Sequence, residues 1–360
     1  GQAYLDNGDN EDAIEKLETA CELNPDEDLN FFLCGCAYLK NGNHNEAIEK
    51  FEKACEINPE HYGTLYGCGR AYYESGNYKK AIEKLETACE LNPDEELCNH
   101  WLGRAYYDTE KYEEAVEKLE RACELNPNDE YNNFWCGLAY MSNGNLQEAI
   151  AKLEKAYELN PNDEYNNFWL GLAYFCNDEY KKAIEKVEKA CKLNDKSDDN
   201  FNLCGRIYYE NGNYKKAVQK FKKACKLNNS EENNEWLQKA KEAEFDKKYE
   251  EKAALKTLKK VLSKDNLLCG VVIKTKNRKK KNSHANCSEN QQYKCQVVSF
   301  GEEVNNALKV LLNDKIQFYT RPKDKKVYIQ IDNGNYAPLT NGLKDIMGLS
   351  DIRISLIQDK

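Results

Sequence analysis

The chain has 360 residues, of which 41% are hydrophobic and 32% charged, and its formal net charge is −10. This composition can supply a folded core, and 7 Pro in the whole chain exclude a Pro-rich disordered class. The longest apolar run, residues 267–273, is far shorter than the roughly 20 residues that a membrane-spanning helix needs, so that class is also excluded for the bulk of the chain.

Residues 1–229 repeat with a period of 34 residues. Gly recurs at that spacing, with Tyr three residues later and Ala 12 and 19 residues later. The repeated glycines are Gly1, Gly35, Gly69, Gly103, Gly137, Gly171 and Gly205. Each unit predicts two helices, the first ending at a turn that usually contains Gly and the second at Leu-Asn-Pro, because Pro cannot continue a helix. Two units carry Glu110 and Asp178 at the turn instead of Gly.

This pattern resembles the tetratricopeptide repeat family. The resemblance implies a mainly α fold, an α-solenoid in which about seven helix hairpins in residues 1–229 stack into a right-handed superhelix. The first repeat is truncated at Gly1, so we expect further repeats or a targeting segment upstream. Residues 230–263, with an apolar stripe that includes Trp236 and Phe245, are expected to form C-terminal capping helices. A cytoplasmic location is expected.

Ten of the 16 cysteines occupy two positions of the repeat, directly after the second Ala or directly before the Gly. They are Cys21, Cys34, Cys55, Cys68, Cys89, Cys123, Cys136, Cys191, Cys204 and Cys225. Free Cys behaves as a small buried hydrophobe, so we expect reduced cysteines that fill the core. A ladder of disulfides is the alternative, although helix-core positions seldom offer the required geometry.

In this family the first helix of each repeat lines a groove that usually binds peptide segments. Carried over to this sequence, the groove positions hold many aromatic residues and arginines, the residue types that anchor interfaces. The predicted peptide groove comprises Phe32, Tyr66, Arg70, His100, Trp101, Arg104, Tyr131, Phe134, Trp135, Leu138, Tyr165, Phe168, Trp169, Leu172 and Arg206. We expect it to take an apolar or aromatic segment whose acidic residues reach Arg70 and Arg104.

Other interpretations of these residues remain open. The aromatic residues could fill gaps between repeats, and each Arg could pair with the acid four residues later, as in Arg70 with Glu74, Arg104 with Asp108 and Arg206 with Glu210. The asparagines at the starts of two first helices are interpreted as solvated. They are Asn132, Asn133, Asn166 and Asn167.

Residues 264–360 lose the period and differ in charge, with 17 Lys and Arg against 10 Asp and Glu, whereas residues 1–263 hold 35 against 52. They predict a small α+β domain. The predicted strands are residues 267–273, 294–300, 315–320, 326–331 and 352–357, the third and fourth as a hairpin, with helices at 302–312 and 343–349.

Two features of this region could bind a ligand. A basic loop could contact nucleic acid, although such runs are more often solvated, and it consists of Lys274, Lys276, Arg278, Lys279, Lys280 and Lys281. Cys269, His284, Cys287 and Cys295 are zinc-ligand types. Their spacing matches no paired Cys-x-x-Cys site, so no metal or cofactor is expected.

The sequence has no Walker loop, no HExxH and no GxSxG, so we expect no enzyme, with residues 264–360 left open. The predicted function is a protein–protein interaction scaffold that binds a peptide segment of a protein partner. One alternative is an array that recruits substrate to an enzymatic or effector C-terminal domain. Another is a nucleic-acid-associated adaptor that acts through residues 274–281. The acidic repeats argue against nucleic-acid binding by the array itself, and neither a membrane nor a small-molecule substrate is inferred.

Overall fold

A computed structural model describes residues 1–262 and six short strands further along the chain, at 271–274, 296–297, 318–320, 327–331, 335–338 and 356–357. The chain divides into two compact units, residues 1–238 and residues 239–360.

Helix hairpins, one for each 34-residue period, form residues 1–227. The first helices are α1 (Gln2–Asn7), α3 (Asp28–Lys40), α5 (Tyr62–Glu74), α7 (Glu96–Asp108), α9 (Glu130–Ser142), α11 (Glu164–Cys176) and α13 (Asp198–Glu210). The second helices are α2 (Asn10–Leu23), α4 (His44–Ile57), α6 (Tyr78–Leu91), α8 (Tyr112–Leu125), α10 (Leu146–Leu159), α12 (Tyr180–Leu193) and α14 (Tyr214–Leu227). The predicted α-solenoid of helix hairpins is confirmed.

The repeated Gly allows the two helices of a hairpin to approach closely. A Cβ atom at Gly137 would lie 2.6 Å from Cγ of Leu153 and 3.2 Å from its backbone nitrogen. At Gly103 the same atom would lie 2.6 Å from Cγ of Leu119. A side chain here would force the helices apart, so the Gly sets their spacing.

The turn inside each hairpin adopts a left-handed backbone. Gly144 has a φ of 82°, and Glu110 and Asp178 have φ angles of 61° and 59° at the equivalent positions of their repeats. Residues with a Cβ atom adopt this conformation at a steric cost that Gly avoids. Repeats four and six therefore form the same left-handed turn even though they lack Gly at that position.

The second helices end at the same position whether or not Pro follows. α10 ends before Asn160 and Pro161, while α12 ends before Asn194 and Asp195. The φ angles of the two asparagines are −138° and −131°, outside the helical range. Pro is therefore not required to stop these helices, although the sequence pattern suggested that role for it.

The first helices form the more closely spaced layer of the array. α5 contacts α7, α7 contacts α9 and α9 contacts α11, and second helices such as α8 pack against the first helices of their own and the next repeat. Side chains on neighbouring first helices can therefore meet across repeats. The exposed side of this layer is called the first-helix face below.

A single helix, α15 (Glu231–Leu262), occupies the region where capping helices were expected. Phe245, which the sequence placed on the apolar stripe of this region, is 68% exposed. The stripe is therefore not buried at this residue, and the assignment of residues 230–263 as a C-terminal cap stays a prediction.

Cys89 and Cys98 form a disulfide that joins two consecutive repeats. Cys89 lies in the last turn of α6 and Cys98 in the first turn of α7, and their Cα atoms are 5.9 Å apart. The expectation that the core cysteines are reduced, because helix positions seldom offer this geometry, is wrong for this pair.

The strands of the second unit are β1 (Val271–Lys274), β2 (Gln296–Val297), β3 (Phe318–Thr320), β4 (Val327–Ile331), β5 (Asn335–Pro338) and β6 (Leu356–Ile357). β1 pairs antiparallel with β2 and parallel with β6. β4 pairs antiparallel with both β3 and β5, with Tyr319 opposite Tyr328. The α+β domain as a whole stays a prediction, since the helices predicted at 302–312 and 343–349 lie outside the described residues. In the part of the chain that is described, no helix has both the length and the apolar character to cross a bilayer.

Candidate functional site

Tryptophans of the first-helix face pack against tyrosines of the preceding repeat. Tyr73 meets Trp101 edge-to-face with ring centroids 5.1 Å apart, and Tyr107 meets Trp135 in the same way at 5.6 Å. Both tryptophans are partly buried against the hydrophobic core. The interpretation that these rings fill space between repeats is therefore correct for Trp101 and Trp135, which also keep an exposed part.

Arg104 is held between three aromatic rings. Its guanidinium carbon lies 4.4 Å from the ring centroid of Trp135, 4.5 Å from that of Trp101 and 4.9 Å from that of Tyr73. Its Nε atom is buried without a hydrogen-bond partner, and Arg104 makes no ion pair within residues 1–262. Asp108, the acid four residues later, instead accepts a hydrogen bond from the Tyr73 hydroxyl at 2.5 Å. Mutual pairing of Arg104 and Asp108 is therefore wrong.

Arg70 occupies the same repeat position as Arg104, but it is paired with an acid on its own helix. Its Nε donates to Oε1 of Glu74 at 2.8 Å, while its guanidinium lies 5.1 Å from the ring centroid of Trp101. Here mutual pairing on one helix is correct. Arg70 is therefore already neutralised, and the expectation that it receives an acid from a partner is weakened.

Arg206 repeats the arrangement of Arg104 near the end of the array. Its guanidinium carbon lies 5.3 Å from the ring centroid of Trp236, whose ring also meets Tyr209 edge-to-face at 5.8 Å. Its buried Nε has no hydrogen-bond partner. Trp236 thus takes the position that a tryptophan of a further first helix would take, which is consistent with a capping role for the start of α15.

Repeats five and six present further aromatic side chains. Tyr131 and Tyr165, at the starts of α9 and α11, are 65% and 64% exposed. Phe134 and Phe168 are half-buried, and each meets the tryptophan that follows it edge-to-face. We call this set the aromatic stretch, and it consists of Tyr131, Phe134, Trp135, Tyr165, Phe168 and Trp169.

An apolar row separates the two unpaired arginines. The residue after the repeated Gly is Arg104 in repeat four, Leu138 and Leu172 in repeats five and six, and Arg206 in repeat seven. Leu172 is half-buried, whereas Leu138 is buried, so the prediction of Leu138 as a surface contact is wrong. With first helices about 10 Å apart, the two guanidinium groups are about 30 Å apart along the array.

Three other predicted groove residues lie partly or wholly in the core. His100 is 7% exposed, its Nδ1 lies 2.7 Å from Oδ1 of Asn132, and burial lowers its pKa below the ordinary value of 6.5. A buried neutral imidazole that bonds within the array is a structural group, so the groove role predicted for His100 is wrong. Phe32 and Tyr66 are half-buried and packed against the hydrophobic core.

The asparagines at the starts of α9 and α11 are buried, so their interpretation as solvated helix starts is wrong. Nδ2 of Asn132 donates to Oε1 of Glu96 at 2.7 Å, and Nδ2 of Asn133 donates to the carbonyl oxygens of Pro127 at 3.2 Å and Asp129 at 2.7 Å. These amides satisfy backbone and carboxylate acceptors that would otherwise be buried without partners.

A ladder of acid and asparagine side chains joins successive repeats, and sequence reasoning missed it. Glu130 accepts from Asn160 at 3.1 Å through Oε2 and from Asn166 at 2.8 Å through Oε1. Glu164 accepts in the same way from Asn194 and Asn200, both at 2.8 Å. The constant offsets of 30 and 36 residues from acid to asparagine were the available signal.

The ligand sites considered in the second unit fall outside the described residues. Lys274 ends β1, but residues 276–281 of the basic loop are not among them, and neither are Cys269, His284, Cys287 and Cys295. Over the part of the chain that is described, no group of three or more His, Cys, Asp or Glu side chains could hold a metal ion.

Two family models match the repeats. One is described as anaphase-promoting complex, cyclosome, subunit 3, and matches residues 41–122 and 145–224. The other is described as TPR repeat and matches residues 1–42 and 103–144. Neither is a model of a catalytic family. No curated protein matches the chain.

Solved structures of helical repeat proteins share the fold. One is the APC/C hetero-tetramer Cut9-Hcn1, with a TM-score of 0.51 and 18% identity over 66% of this chain and 48% of that chain. Another is PilF of Pseudomonas aeruginosa, with a TM-score of 0.51 and 20% identity over 59% of this chain and 97% of that chain. The chain thus spans about half the length of the first of these relatives.

Proposed function

We propose that this chain, a tetratricopeptide repeat protein by its sequence period, its fold and its family matches, is a scaffold that holds a peptide segment of a protein partner on its first-helix face. Proteins of this family bind protein or peptide partners, and stacked repeats supply an extended surface for doing so. The proposed binding region runs from Arg104 through the aromatic stretch to Arg206.

The observation that carries the proposal is the unpaired guanidinium of Arg104. Three rings hold it by cation–π contacts, and the acid on its own helix is engaged by Tyr73. An arginine oriented in this way loses little rotamer freedom when it binds, and its planar N–H edge suits a carboxylate. We therefore infer that the guanidinium of Arg104 binds an acidic side chain of a partner.

The spacing of the residues defines the peptide chemistry. A segment that reaches from Arg104 to Arg206 has to cover about 30 Å, which takes about nine extended residues at about 3.3 Å each. Between the ends it meets the aromatic stretch and Leu172, which favour apolar or aromatic side chains. The proposed ligand therefore has an apolar centre and an acidic residue near each end.

The test is selection from a displayed library of random 12-residue peptides on the full chain, followed by fluorescence anisotropy with the selected peptides. The triple variant Phe134→Ala, Trp135→Ala and Phe168→Ala should lose binding by more than tenfold. The matched control Phe245→Ala with Tyr249→Ala removes two aromatic side chains, each 68% exposed, that lie outside the first helices. It should bind as the unmodified chain does. Unchanged binding by a triple variant with normal helicity would rule out this region as the peptide site.

A further inference from the structure

The charge of the second helices changes sign along the array. α2 holds five acidic residues and one Lys, and α4 holds four acidic residues and two Lys. α12 holds five Lys and two Glu, and α14 holds six Lys and no acidic residue. The negative charge of the array is therefore uneven, because repeats one and two carry acidic second helices and repeats six and seven carry basic ones.

The reversal occurs at matching positions of the repeat. Four lysines of α14 stand six periods after four acidic residues of α2. The corresponding residues are Glu11 and Lys215, Asp12 and Lys216, Glu18 and Lys222, and Glu22 and Lys226. The position of Glu22 is occupied by Glu in the first five repeats and by Lys in the last two. The sign of the charge thus follows the place of the repeat in the array.

Helix stability does not account for this distribution. Acidic side chains stabilise the first turn of a helix and basic side chains the last turn, because of the helix dipole. α14 nevertheless begins with Lys215 and Lys216, and the last turn of α2 holds Glu22 and no basic residue. These side chains are exposed, so core packing does not select them either.

Five lysines on α12 and α14 are exposed and make no ion pair within residues 1–262. We call this set the basic patch, and it consists of Lys181, Lys192, Lys215, Lys222 and Lys226. Other lysines of these helices serve the scaffold. Nζ of Lys220 lies 3.4 Å from Oε1 of Glu188, and Nζ of Lys223 lies 5.1 Å from the ring centroid of Phe201.

An equivalent set of acidic side chains lies on α2 and α4. We call it the acidic patch, and its members, which are exposed and unpaired within residues 1–262, are Glu11, Asp12, Glu22, Glu46 and Glu49. Glu18, by contrast, accepts a hydrogen bond from Tyr38 at 2.7 Å and lies 3.4 Å from Nζ of Lys50. Each patch covers two neighbouring helices of 14 residues, so both measure about 20 Å along the helices and have the same helix spacing of about 10 Å.

We propose that copies of this chain associate head to tail, with the basic patch of one copy on the acidic patch of the next. The two patches are opposite in sign and alike in size. A closed antiparallel pair would place α8, with five acidic and two basic residues, against α8 of the other copy, and repulsion opposes that arrangement. The contact is therefore heterologous, and each added copy leaves one acidic and one basic patch free for the next. It uses the second helices and leaves the proposed peptide site open.

A second copy fits the basic patch better than a nucleic acid does. α12 and α14 contain no Arg, the side chain that binds phosphate in a bidentate manner. The rings beneath their lysines are buried and cannot stack on bases, since Tyr208 is 3% exposed and Phe201 is 7% exposed. Single exposed ion pairs contribute little, so the association depends on several acting together and is weakened by salt.

The test is sedimentation velocity of the full chain over a range of concentrations at about 0.02 M and about 0.5 M NaCl. The sedimentation coefficient should rise with protein concentration at the lower salt, and association should weaken by roughly tenfold or more at the higher salt. A chain that stays monomeric at the lower salt would overturn the proposal.

Two charge-reversal variants test the assignment of the patches. The basic-reversed variant carries Lys215→Glu, Lys222→Glu and Lys226→Glu, and the acidic-reversed variant carries Glu11→Lys, Asp12→Lys and Glu22→Lys. Each variant alone should remain monomeric at the lower salt, because its two patches have the same sign. An equimolar mixture should associate again, because the patches of one variant complement those of the other. A mixture that stays monomeric although both variants have normal helicity would overturn the proposal.

A matched control separates the patches from the overall charge. The variant Lys40→Glu, Lys79→Glu and Lys241→Glu changes the net charge as the basic-reversed variant does, at exposed lysines outside both patches. It should associate as the unmodified chain does. An equal loss of association in this control would overturn the assignment. Binding of a fluorescein-labelled single-stranded oligonucleotide that the basic-reversed variant loses, in a chain that does not self-associate, would also overturn it and assign the basic patch to nucleic acid.

Discussion

The guanidinium of Arg104 lies 4.4 Å from the ring centroid of Trp135 in the next repeat, and its buried Nε has no hydrogen-bond partner. Arg70, one repeat earlier, stacks on Trp101 in the same way but donates to Glu74 at 2.8 Å. The two arginines share a sequence position and differ in whether their charge is already paired. Because of this difference, we infer that Arg104 can pair with an acid of a partner, whereas Arg70 is already paired within the array.

Replacement of Arg104 should weaken peptide binding much more than replacement of Arg70. Arg104→Ala removes a stacked, unpaired cation, so we expect a loss of about 1–2 kcal/mol, or roughly tenfold in affinity. The affinity of Arg104→Lys should lie between that of the unmodified chain and that of Arg104→Ala, because Lys keeps the charge but lacks the planar N–H edge. Fluorescence anisotropy with a library-selected peptide measures these effects, and circular dichroism checks the fold. Equal losses for Arg104→Ala and Arg70→Ala would contradict the distinction.

Asn166→Ala should lower the free energy of unfolding by about 2 kcal/mol, because it leaves Glu130 and the carbonyl oxygen of Ala156 without the Asn166 amide donor. Asn162→Ala, in the exposed loop just before α11, should change it by less than about 0.5 kcal/mol. Urea denaturation followed by circular dichroism provides the comparison. A similar midpoint for both variants would show that the ladder does not stabilise the array.

Glu110→Gly and Asp178→Gly should each stabilise the array by about 1 kcal/mol. Both residues have a positive φ, 61° and 59°, which costs a residue with a Cβ atom more than it costs Gly. The reciprocal control is Gly144→Ala in repeat five, where φ is 82°, and it should destabilise by about the same amount. Thermal unfolding reports the sign. A lower melting temperature for the two Gly variants would refute the steric explanation.

His100 should make the stability of the array depend on pH just below neutrality. Burial lowers its pKa in the folded chain below the ordinary value of 6.5, so the unfolded chain binds a proton more readily than the folded one. The stability associated with the neutral ring is therefore present above pH 6.5 and is lost as the pH falls below that value. His100→Gln should be less sensitive between pH 7.5 and 5.5 by urea denaturation. An unchanged slope in the variant would show that His100 is not the group responsible.

The sequence predicts the repeat architecture well, because that architecture depends on short-range steric features. Gly137 marks the close approach to Leu153, and the left-handed turn residues follow at fixed offsets. These features need no knowledge of the neighbouring repeat. The positions of the helices and turns in every hairpin can therefore be predicted from the spacing of these residues in the sequence.

The hydrogen-bond partners could not be predicted in this way, because they come from other repeats. Asn132 resembles a solvated helix start until its contact with Glu96, 36 residues earlier, is seen. Arg70 and Arg104 have nearly the same local sequence. Asp108, however, accepts a hydrogen bond from the Tyr73 hydroxyl of the preceding repeat and does not pair with Arg104. For Glu74, the position that corresponds to Tyr73 in the preceding repeat is occupied by Leu39. The Leu39 side chain cannot donate a hydrogen bond, so Glu74 stays paired with Arg70.

The most direct measurement is a crystal structure of the full chain with a library-selected peptide bound. The peptide should lie along the first helices of repeats four to seven, with apolar side chains on the aromatic stretch and a carboxylate within hydrogen-bond distance of the terminal N–H groups of Arg104. A peptide seated on the second helices, or one that contacts neither Arg104 nor the aromatic stretch, would contradict the proposed function.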